Sequence, residues 1–490
     1  MKILRYCLKV LGYLLVFLVL LAFSLYAWVV IANWNDDPLS EEAKQAMQYT
    51  PPTQAQWQDN GLLIIAGLDA PWDAADKNAV TTAAELGRKR LTREIERHAW
   101  VQAHPTTTQG MPPLIERAKS GLNIVPTQLR CPQGEADCFA WYQQYKTTIE
   151  STFRANQALI LRLDAAANAK QFSNPWPHYL YSDLPPYSLL RSSHELWLAM
   201  ASLEWQNGKQ ADAVAHVTQA SVLRIKLAAS SNSLITSMIA LALQYQELRW
   251  LSNAIARTTP DTSGAVSSTV NALLQTPPPS LDSAFAGEKQ FMAGVYASIK
   301  DVNYNALILE KQMGSPDLWE RMANHLINIG FLHGETLNTS IRDLDHVRSI
   351  SLRPAHEQDS AYSQFQVQLD SVGGPCGSSW FDMRNAVGRC LVGISDSYSI
   401  YLRYMHRVSD IEGYRRLVQL QYQALKEQQS PANIPTWLEK SPQELRNPYN
   451  LQPMHWDVAT DSLVFEGKEK QTQNLDASST YRVQLFKVHP

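Results

Sequence analysis

Residues 197–227 read WLAMASLEWQNGKQADAVAHVTQASVLRIKL, and this stretch decides the fold class of the chain. Four apolar residues in its second half recur at spacings of three and four: Val217, Ala220, Leu223 and Leu227. Such spacing places them on one face of an amphipathic helix. Asn207-Gly208 is typical of a tight turn, and another apolar stretch precedes that turn. The stretch therefore predicts two helices that pack against each other.

The same helical pattern continues in both directions along the chain. It predicts helices at about 79–100, 139–167, 189–206, 209–228, 232–257, 281–298, 316–330, 335–350, 382–406 and 410–428. Two of these helices are expected to begin with an S-x-x-E capping box, at Ser192 to Glu195 and at Ser409 to Glu412. A loop is expected at about 354–379. Because alternating apolar runs are scarce before residue 440, we predict a mainly α-helical array.

The last fifty residues follow a different pattern. Short runs rich in β-branched and aromatic residues occur at 454–458, 463–465 and 481–488, around a turn at Thr460-Asp461. One helical turn is expected just before them, at 441–444. We therefore predict a small C-terminal β appendage.

The N-terminus carries a long apolar run. Val10–Ile31 contains no charged residue and, as a helix, is long enough to cross the roughly 30 Å hydrocarbon core of a bilayer. Basic residues precede the run and acidic residues follow it, so the positive-inside bias predicts a cytoplasmic N-terminus and an exported remainder. A cleaved signal peptide is the alternative, because Val30-Ile31-Ala32 resembles a poor cleavage site. The length of the run favours an uncleaved anchor.

Four cysteines follow the anchor, and they fall into two local pairs: Cys131 with Cys138, and Cys376 with Cys390. An even number of cysteines suits the oxidising bacterial periplasm, where disulfides persist. Three pairings are possible, and we predict the local one. Neither pair has the two-to-four-residue spacing of a zinc site, so we predict no metal there.

Composition limits the class of protein. The 490 residues are 45% hydrophobic and 18% charged, with a net charge of -3. A disordered chain and a highly charged coiled coil are both excluded. Nucleic acid is not an expected partner, because the chain has no long basic run.

These patterns predict a single-pass protein of the bacterial inner membrane. Its expected parts are a cytoplasmic N-terminus (1–9), a transmembrane signal anchor (10–32), a membrane-proximal spacer (33–60), an N-terminal helical subdomain with a disulfide-stapled loop (61–185), a helical array (186–440) and a β appendage (441–490).

One helix pair resembles a tetratricopeptide repeat. Counted from Trp197, small or apolar residues stand at the positions that this repeat requires: Ala201, Gly208, Ala213, Val217 and Ala220. The resemblance implies close helix packing around a tight turn. Ile225 stands where the repeat has its closing proline, and no second clear copy follows at a 34-residue period. A divergent helical hairpin is therefore an equal alternative.

Short motifs along the chain resemble a family of uncharacterised proteobacterial inner-membrane proteins. After the anchor, these motifs are Gly67-Leu-Asp-Ala-Pro71, Leu184-Pro-Pro-Tyr187, Asn385-Ala-Val-Gly-Arg-Cys390 and the run from Asn447 to Trp456. The resemblance implies an anchored, periplasmic, helical protein. It implies no activity and no catalytic residue.

Familiar enzyme signatures are missing. His194-Glu195 and His356-Glu357 begin like a metalloprotease HExxH, but Leu198 and Ser360 stand where the second histidine is needed. The chain has no G-x-S-x-G, phosphate-loop or G-x-G-x-x-G motif. We predict no catalytic residue, metal ligand or cofactor from the sequence.

Two polar or aromatic clusters remain as candidates. The first comprises His325, His333, Glu335, Asp343, Asp345 and His346, which could converge if two helices pack antiparallel. Since Asp343 and Asp345 cannot share a helical face, a solvated stripe is the preferred interpretation. The second is a connector with a possible interaction surface: Trp176, His178, Tyr179, Tyr181 and Tyr187. Its alternative role is to pin a loop onto the helical core.

The expected function is that of a membrane-anchored interaction or scaffold protein of the cell envelope. Its expected partners are membrane lipid, through the anchor, and another envelope protein. One alternative is a glycan-active enzyme, which requires a carboxylate pair in a cleft. The other is an immunity-type inhibitor of an exported toxin.

Overall fold

The computed structural model describes the chain apart from residues 1, 73–77, 105–107, 118–129, 133–136, 259–262, 300–324, 326–327, 372–382, 396–398, 472–473 and 486–490. The described part is mainly helical and ends in a small sheet. This confirms the predicted fold class at that level.

The helices are α1 (Lys2–Ala32), α2 (Glu41–Met47), α3 (Gln54–Trp57), α4 (Gly61–Ala66), α5 (Ala79–Ala103), α6 (Cys138–Gln144), α7 (Lys146–Ala155), α8 (Gln157–Asn168), α9 (Tyr187–Gln206), α10 (Gln210–Ala229), α11 (Leu234–Ala256), α12 (Ser263–Leu274), α13 (Asp282–Ile299), α14 (His333–Ser351), α15 (Ala355–Ser371), α16 (Ala386–Ser395), α17 (Ser399–Lys426) and α18 (Ile434–Glu439). The strands are β1 (His455–Asp457), β2 (Ser462–Gln471) and β3 (Asn474–Gln484).

Two large apolar cores hold the body together. The first lies among α4, α8 to α12, the later part of α17 and the sheet. The second lies among α2 and α13 to α17. Helix α17 serves both, because Met405 is buried in the second core and Leu417 in the first. Its 28 residues therefore join the two halves of the body.

Helices α9 and α10 form the hairpin that the sequence predicts. They meet at Gly208, whose φ of 79° is a left-handed conformation that glycine adopts without steric cost. Ala201, Ala213 and Ala220 are fully buried where the two helices pack. Small side chains at this interface allow the helix axes to approach closely.

Buried charges lock α11 to α9 and α10. Glu247 of α11 accepts from Arg224 Nε at 2.8 Å and lies 3.2 Å from His194 Nε2. The side chains of all three are at most 1% exposed. An ion pair this deep stabilises the fold only while both partners are present, because either charge alone would be costly to bury.

Two buried arginines hold the segment 67–72. Arg162 of α8 donates to the carbonyl oxygens of Leu68 and Ala70 at 2.9 and 2.7 Å, and its guanidinium lies over the ring of Trp72. Arg90 of α5 forms a buried ion pair with Asp69. The Gly67-Leu-Asp-Ala-Pro71 motif is therefore a structural element of the body.

The C-terminal sheet is antiparallel in the order β1-β2-β3 and packs on α17. Phe465 of β2 lies so close to Gly413 that a Cβ at that glycine would be 2.3 Å from the ring. Asp410 of α17 accepts from the backbone N–H groups of Lys468 and Glu469 at 2.9 and 3.0 Å. The predicted β appendage is thus bonded directly to the helical body.

Several predicted boundaries are wrong. The helix predicted at 139–167 is split into α6, α7 and α8, with one break at the buried Asn156. The side-chain amide of Asn156 donates to the carbonyl of Thr152, a local bond that competes with the continuous helical ladder. The loop predicted at 354–379 is largely α15, which begins directly after Pro354 because Tyr362 and Phe365 enter the second core.

Neither predicted capping box begins a helix. Ser192 lies inside α9, which starts at Tyr187, and Ser409 lies inside the continuous α17. Both helices extend further towards the N-terminus because apolar residues before these serines are also buried in the cores. Most of the helix predicted at 316–330 lies outside the described residues.

Candidate functional site at the end of the membrane anchor

One helix in the described part of the chain is long and apolar enough to cross a membrane, and it includes Lys9–Ala32. Its side chains are exposed over most of this length. The helix ends close to the body, and the residues that follow it make several polar contacts there. We call the contacts made by residues 33–40 the anchor joint.

Two buried asparagines form the centre of the anchor joint. Asn33 donates its side-chain amide to the carbonyl of Met383 at 2.9 Å and accepts from the backbone N–H of Asn385 at 2.7 Å. The side-chain oxygen of Asn385 accepts from the N–H of Leu332 at 2.8 Å. Asn33 and Asn385 are 8% and 1% exposed. Segments about 350 positions apart in the chain are therefore joined by buried hydrogen bonds.

Asp36 caps the N-terminus of α14. Its two carboxylate oxygens accept from the backbone N–H groups of Gly334 and Glu335 at 2.7 and 3.0 Å. A negative charge is favourable there because the first N–H groups of a helix lack partners and carry partial positive charge. The backbone of Asp37 comes so close to residue 334 that only glycine fits there, since a Cβ would lie 2.0 Å from the carbonyl oxygen of Asp37.

Arg384, which follows Met383 in the chain, also binds the segment 33–40. It donates to the carbonyl of Asn35 and to the carboxylate of Asp37, both at 3.1 Å. It also pairs with Glu335 at 2.8 Å. Burial raises the pKa of Glu335, and the charge of Arg384 opposes that rise. The joint is therefore electrostatically paired as well as hydrogen-bonded.

Part of the segment predicted as a membrane-proximal spacer packs against the body. Ser40 caps α2 by accepting from the N–H of Ala43 at 3.1 Å, and its own N–H donates to Asn338 at 2.8 Å. Ala43 is fully buried in the second core. Contacts within residues 33–47 thus hold the end of the N-terminal helix against the body.

A cleft of about 360 Å³ opens beside the joint. Its walls include Asp36, Asp37, Met47, Gln102, Ala297 and His333. Both carboxylates are already engaged, one by the N-terminus of α14 and the other by Arg384. The cleft therefore presents no unengaged carboxylate pair of the kind that a glycan hydrolase uses.

Two histidines lie behind this cleft, around a much smaller cavity of about 10 Å³. His98 makes edge contacts with the rings of Tyr49 and Tyr179, at centroid distances of 4.9 and 5.3 Å. Burial lowers the pKa of His98 and lowers the pKa of His178 to about 4. Both rings are therefore neutral at pH 7 and act as packing elements.

Most aromatic residues of the connector at 176–187 are buried in the body. Trp176 donates to the carbonyl of Asp183 at 2.7 Å, and Tyr179 donates to Glu94 at 2.8 Å. Tyr187 lies 2.9 Å from Thr236 Oγ1. These three aromatic residues are buried, whereas His178 is half-buried and Tyr181 is 36% exposed. The geometry favours the packing role over the predicted interaction surface.

Glu288 of α13 lies on the same side of the body, next to Gly287, which approaches the His178 ring. Burial raises the pKa of Glu288 from 4.5 to about 7, while a bond from the backbone of Leu234 opposes the rise. The folded state therefore loses stability as the pH rises from about 4.5 to 7, because only the unfolded chain ionises freely over that range.

We expect Glu288→Gln to stabilise the protein at pH 8, by up to about 3 kcal/mol, and to have little effect at pH 4. Glutamine keeps the oxygen that accepts from Leu234 but carries no charge. Urea unfolding of the parent and variant at both pH values measures the difference. Glu439→Gln, at an exposed position, is the control and should change stability at neither pH. A destabilised Glu288→Gln at pH 8 would contradict the assignment.

The first cysteine pair forms a disulfide. Cys131 and Cys138 are bonded, with 5.6 Å between their Cα atoms, and both are buried. Cys390 is disulfide-bonded as well, whereas Cys376, its predicted partner, lies outside the described residues. The structure thus shows the first predicted pair directly.

Sequence reasoning missed a charged cluster beside this disulfide. Arg249 of α11 donates to the carbonyls of Cys131 and Pro132 at 3.2 and 2.8 Å. Arg130 donates to Glu195 of α9 at 2.7 Å, and burial raises the pKa of Glu195 against the effect of that arginine. No sequence spacing links these residues, because they come from three separated segments.

The candidate cluster of histidines and carboxylates does not converge on one site in the described part of the chain. His325 lies 3.1 Å from Tyr26 Oη, while His346 stacks on Phe365 at 4.5 Å between ring centroids. Asp345 pairs with Lys289 at 2.7 Å. Within the described ranges, no three histidine, cysteine or acidic residues group as metal ligands.

Comparison of the chain with protein-family models, with curated proteins and with solved structures finds no match.

Proposed function

We propose that this chain is a single-pass inner-membrane protein whose helical body lies in the bacterial periplasm and acts as an interaction or scaffold module of the cell envelope. The anchor joint is the observation that carries the proposal. Buried bonds between Asn33 and Asn385, and the cap that Asp36 places on α14, fix the body to the end of the membrane helix. A scaffold benefits from such a joint because its binding faces keep one orientation to the membrane.

Two further features support this role. The Cys131–Cys138 disulfide suits an oxidising compartment. The hairpin of α9 and α10, with its small buried residues, is compatible with a TPR-like array, a form that offers extended surfaces for partners. The cleft beside the joint favours a structural role over glycan hydrolysis, because its aspartates are bound within the protein.

The topology is tested by fusing a reporter enzyme that is active only in an oxidising compartment to Pro490. We expect activity from this fusion and none from a control fusion placed after Lys9, before the anchor. An inactive full-length fusion that is stably produced would contradict the periplasmic location.

The interaction role is tested by crosslinking in intact cells, followed by mass spectrometry of the copurified proteins. We expect one or a few envelope proteins to be recovered reproducibly at more than one crosslinker length. Asn385→Ala, which loosens the joint, should reduce that recovery at equal protein level. Recovery of this chain alone at every crosslinker length would contradict the scaffold role.

A further inference from the structure

The exposed face of α5 forms the floor of a groove of about 580 Å³, larger than the cleft at the anchor joint. Four exposed polar or charged residues of this floor follow one another at helical spacing: Glu85, Arg88, Lys89 and Thr92. Trp57 of α3 and Ile115 of the segment 111–117 contribute apolar surface to the same groove. The groove therefore combines charged and apolar surfaces contributed by three parts of the chain.

Two cations in the groove, Arg88 and Lys89, form no ion pair with any residue that the structure describes. Arg93 is occupied, since it pairs with Glu96 at 3.0 Å and donates to the carbonyl of Pro113. In the part of the chain that the structure describes, Arg88 and Lys89 have no carboxylate within 4.0 Å. Their positive charge is free to attract an acidic group, most strongly at low ionic strength.

From this groove we infer a docking site for an extended segment of a partner protein that carries acidic side chains next to apolar ones. Arg88 and Lys89 would meet the acidic side chains, and Trp57 and Ile115 the apolar ones. Glu85 also lines the groove, and its negative charge would repel a uniform polyanion such as a sulfated glycan. A polypeptide satisfies both requirements, because its charges can be spaced and its amides are neutral.

The inference rests on the proposed interaction role and names a partner chemistry for it. The test uses the purified full-length chain in detergent and two fluorescein-labelled octapeptides, one alternating Glu and Leu and one alternating Lys and Leu. Fluorescence anisotropy should show binding of the acidic peptide, weakening as salt is added. The basic peptide should bind at least about tenfold more weakly, which corresponds to about 1.4 kcal/mol.

Matched variants locate the binding. The double variant Arg88→Glu, Lys89→Glu should bind the acidic peptide at least about tenfold more weakly than the parent. Lys170→Glu with Lys440→Glu makes the same change in net charge at exposed positions outside the groove, and it should have little effect. Trp57→Ala should also weaken binding, but with an unchanged dependence on salt, because it removes apolar surface and no charge.

Three outcomes would overturn the inference. These are no binding of the acidic peptide, equal losses in the two double variants, and binding of phosphatidylglycerol vesicles or a sulfated oligosaccharide through Arg88 and Lys89 in place of the peptide. These outcomes concern the groove alone, and the proposed scaffold role is judged by the crosslinking experiment. If the Arg88→Glu, Lys89→Glu chain still recovers its crosslinked partners in cells, the scaffold role stands and this groove is not the site.

Discussion

Replacing Glu247 by glutamine should lower the free energy of unfolding by about 3 to 5 kcal/mol. The variant keeps the size of the side chain but leaves the guanidinium of Arg224, which is 1% exposed, without a counter-charge inside the first core. It also removes the negative charge beside His194. Urea unfolding of the parent and variant, followed by far-UV circular dichroism, measures the change.

Asp282→Asn is the matched control for this prediction. Asp282 pairs with Arg348 at 2.6 Å, but both side chains are at least 40% exposed. An exposed pair of this kind contributes about 0 to 1 kcal/mol. If the two variants lost equal stability, burial of the Glu247 pair would not be the source of its effect.

Asn385→Ala should destabilise the protein by about 2 to 4 kcal/mol, in two parts. The first part comes from the buried N–H of Leu332, which loses its hydrogen-bond acceptor. Leaving this N–H without a partner costs about 1 to 3 kcal/mol. The second part comes from backbone strain, because φ at this position is 48°. Asparagine tolerates this angle, whereas alanine adopts it at a cost of about 1 kcal/mol. The expected consequence is loosening of the anchor joint.

Limited proteolysis of the full-length chain checks whether the effect is local. Cleavage within residues 33–40 should accelerate in the variant, whereas cleavage of the β appendage should not. Asn385→Gly separates the two parts, because glycine accepts the positive φ but also lacks the side-chain oxygen. It should be about 1 kcal/mol more stable than Asn385→Ala. Equal stability of the two variants would exclude backbone strain at this position.

Much of the helical body follows from the spacing of apolar residues. The ends of α5, α10, α11 and α13 lie within three residues of the prediction, because each presents one continuous apolar face. The apolar run at 62–68 is too short to assign from sequence, and its first five residues belong to α4, in which every residue is buried. The single α17 was missed because residues near Ser409 imitate a helix start, while packing on both cores keeps the helix continuous.

The anchor joint could not be found in the same way. Asn33, Asp36 and Arg384 are common surface residue types, and one sequence gives no sign that segments so far apart meet. Glu195 shows the same limit, since it fits a capping motif locally but pairs with Arg130 in the folded chain. Local patterns predict elements, whereas polar contacts between distant segments depend on the completed tertiary structure.

In the proposed topology, the anchor joint also sets an order on biogenesis. Asn33 leaves the ribosome early, but its partners Met383 and Asn385 are made about 350 residues later. Synthesis at the usual rate of ~5 to 20 residues per second means that roughly 20 to 70 s pass before the outer end of the membrane helix can form these bonds. During that interval the end of the helix lacks the buried bonds to Met383 and Asn385 that fix it to the folded body.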